Sequence, residues 1–319
     1  MKILGTGSSL PQKIVSNDDL AQVMDTSDEW ISSRTGIRNR HIAVEETTTS
    51  MSVDAAKKAL ADAAVAAEEI DLIIAATVSS DYIFPTLACE IQAAIGAVNA
   101  TAFDIGAGCS GFLFALATAD AYFATGRCGK ALILGAETLS KMMDWSDRST
   151  CVLFGDGAGA AVLSAEGGQL FSMVQGSDGS GGMALKCENR PVRNLYRQGA
   201  LAHYAFTEMN GSEVYKFAVR TVPKAISEAL TKANVSEDEV SIYLLHQANL
   251  RIIESVAKRL HQPMEKFPTN LEECGNVSAA SVPILLDKVR KDGMIGKGDK
   301  IVLAGFGAGL TWGACVIEW

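Results

Sequence analysis

Short, solidly apolar runs alternate with longer amphipathic stretches along the whole chain. Candidate strands are LIIAATV (72–78), ATAFDI (100–105), KALILGA (130–136), GAAVLS (159–164), SIYLLH (241–246), KIVLAGF (300–306) and ACVIEW (314–319). Several show no polar alternation, the pattern of strands buried on both faces. Helices are expected between them, for example over 51–67, 110–126, 213–233 and 249–260. The start, MKILGTGSSLPQ, has one lysine and a brief apolar run, and reads as a first strand and turn, not a signal peptide. Such alternation predicts a layered α/β fold with helices covering sheets.

The pattern also repeats. At a shift of 170 positions Ala55 falls on Ala225, Ala59 on Ala229, Leu60 on Leu230, Ala63 on Ala233, Val65 on Val235, Glu69 on Glu239 and Ile70 on Val240. Each segment is a helix, a short acidic turn and an apolar strand. A second echo, at a shift of 150, sets Gly157-Ala158-Gly159 on Gly307-Ala308-Gly309. An internal duplication is the reading, with its boundary near 165–170 and halves of 1–168 and 169–319. The first half is longer between the echoes, so it is expected to carry a functional insertion.

Composition narrows the class without naming it. The chain has 319 residues, 48% of them apolar, and 29 glycines, enough for two domains or one large duplicated one. No window approaches the ~18 uninterrupted apolar residues of a membrane span. Seven cysteines are scattered without close pairing, which suits reduced thiols in the cytosol better than a disulfide framework. No CxxC or HxxxH spacing occurs, so no metal site is expected. A net charge of −9 argues against general nucleic-acid binding, though not against a local basic patch.

Three segments carry candidate chemistry. In ATAFDIGAGCSGF an apolar strand runs through Gly106, Gly108 and Gly111 into an apolar helix, and these glycines allow a sharp turn at Cys109. Free N–H groups and the helix dipole at such a start are expected to lower the thiol pKa and favour the nucleophilic thiolate. In YLLHQANLRII, His246 ends an apolar strand, where open sheets place catalytic groups, and its counterpart in the repeat is Ala76. In ECGNVSAASVP, Asn276 offers an amide donor in a turn; alone it is an ordinary turn asparagine. A cysteine, a histidine and an asparagine together suit nucleophilic acyl transfer. Papain-like proteases use the same types, but this chain has no CGSCW-type segment.

From end to end the chain resembles β-ketoacyl-acyl-carrier-protein synthase III. The resemblance rests on GTGSSLP (5–11), DTSDEWISSRTGIRNRH (25–41), FPTLACEIQ (84–92), DIGAGCSGF (104–112), SDRSTCVLFGDGAGAAVL (146–163), NGSEVYKFAV (210–219), LLHQANLRII (244–253), GNVSAASVP (275–283) and GFGAGLTWG (305–313). It implies the thiolase fold, two βαβαβαββ halves in an α-β-α-β-α sandwich, and a cytoplasmic homodimer without a cofactor. It implies a Cys109-His246-Asn276 site that is acylated from acyl-CoA and then condenses the acyl group with malonyl-acyl-carrier protein. An oxyanion hole from the backbone N–H groups of Cys109 and Ala308 is implied too. The departures from the family pattern are Gly106 and Gly108 where alanines are common, Ala308 for glycine, and Val277 for threonine. These bear on rate and primer choice more than on reaction class.

The resemblance also implies binding surfaces. Trp30 and Arg34, four apart in a capped helix start, would hold the CoA adenine, with Arg148 as third contact. Thr26, Met209, Gly211, Ala248 and Asn249 would line the pantetheine tunnel, and Phe84 would reach across the dimer to the primer pocket. Arg251, Lys258 and Arg259 share a helix face, extended by Lys216 and Arg220, and could dock an acidic carrier protein by charge. The alternative is a related starter condensing enzyme of a polyketide or quinolone pathway. Chalcone-like synthases carry GFGPG where this chain has GFGAG, and a non-catalytic partner subunit would lack the cysteine.

Overall fold

The computed structural model describes residues 1–166, 170–192, 194–197 and 205–319. The proposed boundary at 168/169 lies outside the described residues. Strands β1 (Lys2–Ser9), β2 (Leu72–Ala76), β3 (Thr101–Ile105), β4 (Lys130–Thr138) and β5 (Asp156–Ser164) form one sheet in the order β1-β5-β4-β2-β3. Strands β6 (Leu170–Ser177), β7 (Val240–Leu245), β8 (Lys300–Gly307) and β9 (Thr311–Glu318) form a second, ordered β7-β8-β9-β6. Each sheet contains a parallel pair in the same register, β2 with β4 and β7 with β8: Leu72 faces Ala131, and Ile242 faces Ile301, each 170 positions on.

The main helices are α1 (Asp28–Thr35), α2 (Thr48–Ala63), α3 (Leu87–Ile95), α4 (Gly111–Ala124), α5 (Gly211–Ala233), α6 (Leu250–Arg259) and α7 (Ser281–Lys291). Burial sorts them into layers. Leu72, Ile74, Ala131 and Ile133 turn one way, onto Phe112, Leu116, Leu285 and Leu286 of α4 and α7 and on to Ile242, Leu244, Ile301 and Leu303 of the second sheet. Ile73, Ala75, Leu132 and Leu134 turn the other way, onto Ala55, Ala59, Leu87 and Ile91 of α2 and α3. Val302, Ala304, Val316 and Tyr243 meet α5 and α6 outside the second sheet. Two sheets thus enclose α4 and α7 and are covered outside by helices. Both faces of each central strand are buried, which is why the strands read as unbroken apolar runs.

Strand and helix positions agree with the sequence reading to within a few residues, but the second echo does not. Gly157–Gly159 lie inside β5, whereas Gly307 ends β8 and Ala308 and Gly309 form the turn to β9. The strand register instead equates Gly159, paired with Gly135, and Gly313, paired with Gly305. Similar glycine triplets therefore serve different purposes. The expected insertion in the first half is residues 139–155 between β4 and β5, against a three-residue turn, 308–310, between β8 and β9.

Candidate active site

The chain leaves β3, passes through a short 3-10 turn at Gly108–Ser110 and enters α4 at Gly111. Gly108 takes φ +50°, and a Cβ there would stand 3.2 Å from both the Cβ and the N of Ala308. Left-handed backbone and close approach both call for glycine. Cys109 sits buried on this elbow. Gly307 passes so near that a Cβ on it would lie 2.7 Å from the Cys109 Cβ and 3.1 Å from its Sγ.

A second elbow faces the first. The 3-10 turn Ser278–Ala280 leads into α7 as Gly108–Ser110 leads into α4, and Ser278 takes φ +46°. A Cβ on Gly111 would lie 3.3 Å from that of Ala279, so the two helix starts meet. Neither α4 nor α7 has a side-chain cap at its N-terminus.

Asn276 is held just before the second elbow. Its N–H donates to Leu153 O at 2.9 Å, its O accepts from Gly155 N–H at 3.0 Å, and its Oδ1 accepts the Ser278 N–H at 2.9 Å. With the oxygen so engaged, the side-chain NH2 remains as donor. Beneath this segment lies Arg40, fully buried, donating to Val152 O at 2.8 Å and Asn17 Oδ1 at 2.7 Å. His246 follows β7, its N–H donating to Ala304 O at 2.8 Å and its ring packed edge-on against Phe306, 5.3 Å between centroids. Burial alone pushes its pKa down to about 3, so the imidazole is neutral, and its buried Nδ1 has no partner. The end of β8 carries both contacts, Phe306 against His246 and Gly307 against Cys109. No hydrogen bond joins the three side chains to one another among the described residues.

One expectation is reversed. The Cys109 thiol is pushed up to about 11, chiefly by burial, with Glu137 adding to the rise. The Ser278 side chain and the backbone N–H groups of Cys109 and Ala308 favour the thiolate, but less strongly. Two residues missed from the sequence emerge at this centre, Ser278 and Glu137. The signal for Glu137 is a lone carboxylate in the apolar strand KALILGAET.

Outside this centre, the guanidinium carbons of Arg34 and Arg148 both lie over the Trp30 ring, 4.9 and 5.0 Å from its centroid. Arg148, from the insertion, is bonded to Asp25 O and lies 3.2 Å from its carboxylate. Asn249 Nδ2 donates to Arg34 O at 3.1 Å, tying α6 to α1, and the buried Thr26 Oγ1 has no partner. Ala248 is half-buried beside Asn249, while Met209 and Gly211 stand at the start of α5. Lys216, Arg220, Lys258 and Arg259 are exposed and form no salt bridge among the described residues. Arg251 differs: its guanidinium donates to Ser33 O at 2.7 Å. Phe84 is 83% exposed, next to exposed Tyr82 and Ile83. No helix of the described residues is long and apolar enough to cross a membrane.

Both matching family models describe the same synthase. Residues 103–179 match the model for 3-oxoacyl-[acyl-carrier-protein] synthase III, and residues 230–319 match the model for its C-terminal part. The β-ketoacyl-[acyl-carrier-protein] synthase III of Clostridium acetobutylicum is 45% identical, covering 100% of this chain and 98% of the relative. Among solved structures, the synthase III of Aquifex aeolicus superposes with a TM-score of 0.93 at 44% identity, covering 100% of this chain and 99% of that one. That of Thermus thermophilus gives 0.93 at 42%, with the same coverage. The chain therefore belongs to the 3-oxoacyl-[acyl-carrier-protein] synthase III family, thiolase-fold acyltransferases that carry out the initiating condensation of fatty-acid synthesis.

Proposed function

We propose that the reaction is a decarboxylative Claisen condensation run in two steps at Cys109. The Cys109 sulfur attacks the carbonyl of an acyl-CoA primer, and CoA leaves as its thiol. Malonyl-acyl-carrier protein then loses carbon dioxide, and its carbanion attacks the acyl-enzyme, freeing the cysteine. The observation that carries this reading is the pair of backbone N–H groups, of Cys109 and Ala308, both close enough to the Cys109 sulfur to favour its anion. Fixed donors at that point suit the oxyanion of a tetrahedral intermediate.

The enolate formed on decarboxylation needs its own donors. Neutral His246 and the free NH2 of Asn276 fill that role, neither adding a full charge to the site. Loss of carbon dioxide drives the new carbon–carbon bond, so the reaction calls for no cofactor. We assign Trp30, Arg34 and Arg148 to the CoA nucleotide, and Thr26, Met209, Gly211, Ala248 and Asn249 to its pantetheine arm. Lys216, Arg220, Lys258 and Arg259 are assigned to the carrier protein, with Arg251 at the rim. We further take the working unit to be a cytoplasmic homodimer, with Phe84 crossing to the partner, and the chain to be two halves, 1–168 and 169–319.

Paired half-reactions test the mechanism. Asn276→Ala should still take label from acyl-CoA on Cys109, yet release carbon dioxide from malonyl substrate ~10²–10³ times more slowly. Cys109→Ala should take no label. Label on another cysteine, or normal decarboxylation by Asn276→Ala with failed acylation, would reverse these roles.

A further inference from the structure

We propose that Glu137 receives the Cys109 thiol proton through the Ser278 hydroxyl during acylation. The duplication explains how a strand of one half reaches the nucleophile's surroundings. At a shift of 170, Glu137 at the end of β4 corresponds to Gly307 at the end of β8, as the matching registers of the two sheets require. Gly307 lies against the elbow of Cys109; Gly135 of β4 lies so close to the other elbow that a Cβ would be 2.1 Å from Ala279 O. The Glu137 side chain is thus brought to the Ser278 elbow, in the place where the other copy has no side chain.

Its two oxygens are used unequally. Oε2 accepts the Val78 N–H at 3.1 Å, the Ser79 hydroxyl at 2.5 Å and the Thr77 hydroxyl at 3.4 Å. Oε1 is buried with no partner. A carboxylate whose only task was to brace residues 77–79 would have no reason to leave an oxygen orphaned in the interior. Ser278 lies close enough to favour the charged form of both neighbours, Glu137 and Cys109. Burial raises the Glu137 carboxyl to about 7, while His246 is held down at about 3. Of the two, Glu137 is the group matched to accepting a proton at neutral pH.

Other charges on the elements around β4 are engaged elsewhere. Asp156 of β5 binds Ala43 N and Ser140. Asp54 and Asp62 of α2 pair with Lys58 and Arg290. Asp287 of α7 binds Thr6, Ser8 and Lys291, and α4 carries only Asp120. In the step itself, the S–H bond of Cys109 breaks as its sulfur bonds to the acyl carbon. The thiol proton passes to Ser278 Oγ while the Ser278 proton passes to Glu137 Oε1. As the CoA–sulfur bond breaks, the proton returns by way of Glu137 to the departing thiolate. Glu137 is a positioning residue in the sense that it acts through Ser278.

The inference rests on Cys109 being the acylated nucleophile. Acylation by labelled acyl-CoA is measured from about pH 5.5 to 9 for the wild type, Cys109→Ala, Glu137→Gln, Glu137→Asp, Ser278→Gly and the double variant. Glycine at 278 keeps the positive φ that its counterpart Gly108 already takes. The wild-type rate should rise through about pH 7 and level off. Glu137→Gln and Ser278→Gly should each lose at least ~10-fold at pH 7, and their rates should climb tenfold per pH unit without a plateau. The double variant should be no slower than either single one, and Glu137→Asp should regain the plateau. A plateau retained in Ser278→Gly, or losses that multiply in the double variant, overturns the relay, and Ser278→Gly decides alone should Glu137→Gln not fold. Failure of the nucleophile assignment looks different: label would persist in Cys109→Ala.

Discussion

An imidazole that stays neutral to about pH 3 cannot follow its solvent, and His246 therefore links stability to acid. In the unfolded chain it binds a proton near pH 6.5, which the native state refuses. Stability from this residue is intact above pH 6.5 and is lost as pH falls toward 3, by about 5 kcal/mol in total. Urea midpoints of His246→Ala should accordingly fall less steeply between pH 6.5 and 4.5 than those of the wild type; parallel slopes would count against a buried neutral ring. Single residues differ in how much of this shows in sequence. Cys109 is legible because its flanking glycines lie between an apolar strand and an apolar helix, whereas those around Cys128 lead into a strand. The direction of its pKa is not legible, because the helix dipole is local but the burial that outweighs it is built by β8 and the second elbow. Ser278 and Glu137 stay hidden for the same reason: they are 169 and 28 positions from Cys109 and meet it only through the layering.

Between elements, the decisive contacts are glycines on strands pressed against elbows. Gly135 of β4 abuts Ala279 O of the second elbow, and Gly305 of β8 abuts Cys109 O of the first, but not equally. A Cβ at 135 would lie 2.1 Å from backbone, whereas one at 305 would lie 3.4 Å from its nearest neighbour. Gly135→Ala should cost about 3 kcal/mol and slow decarboxylation more than acylation, since it displaces the turn that holds Asn276. Gly305→Ala should melt within a few degrees of the wild type. Equal tolerance at both positions in thermal melts would contradict the geometry. Strands and the longer helices are readable from apolar runs, but α7 is not, because GNVSAASVP reads as a turn. Its Pro283 sits in the first helical turn, where a missing N–H costs nothing. The false echo has a similar cause, since glycine marks close approach without saying what approaches.

Across the whole molecule, a net charge of −9 coexists with exposed cationic side chains on α5 and α6, Lys216, Arg220, Lys258 and Arg259. Because Arg251 is tied to Ser33, reversing it would also loosen α1, so the test belongs to its neighbours. Lys258→Glu with Arg259→Glu should raise KM for malonyl-acyl-carrier protein several-fold and flatten its dependence on salt, which screens such charges within ~10 Å at 0.1 M. Use of malonyl-CoA should change little; an equal loss with both donors would rule out docking at this face.

The meeting of the two helix starts has a consequence for the limits of mutagenesis. Both α4 and α7 direct uncapped N-termini at one buried point, and each contributes roughly half a positive charge there. That potential belongs to the peptide backbone, well below the reach of salt, and side-chain replacement cannot remove it. Even variants stripped of every side-chain donor therefore retain an environment hospitable to anions. Residual turnover in such proteins would measure what the architecture itself contributes, and would mark the level of activity from which the side chains have been built up.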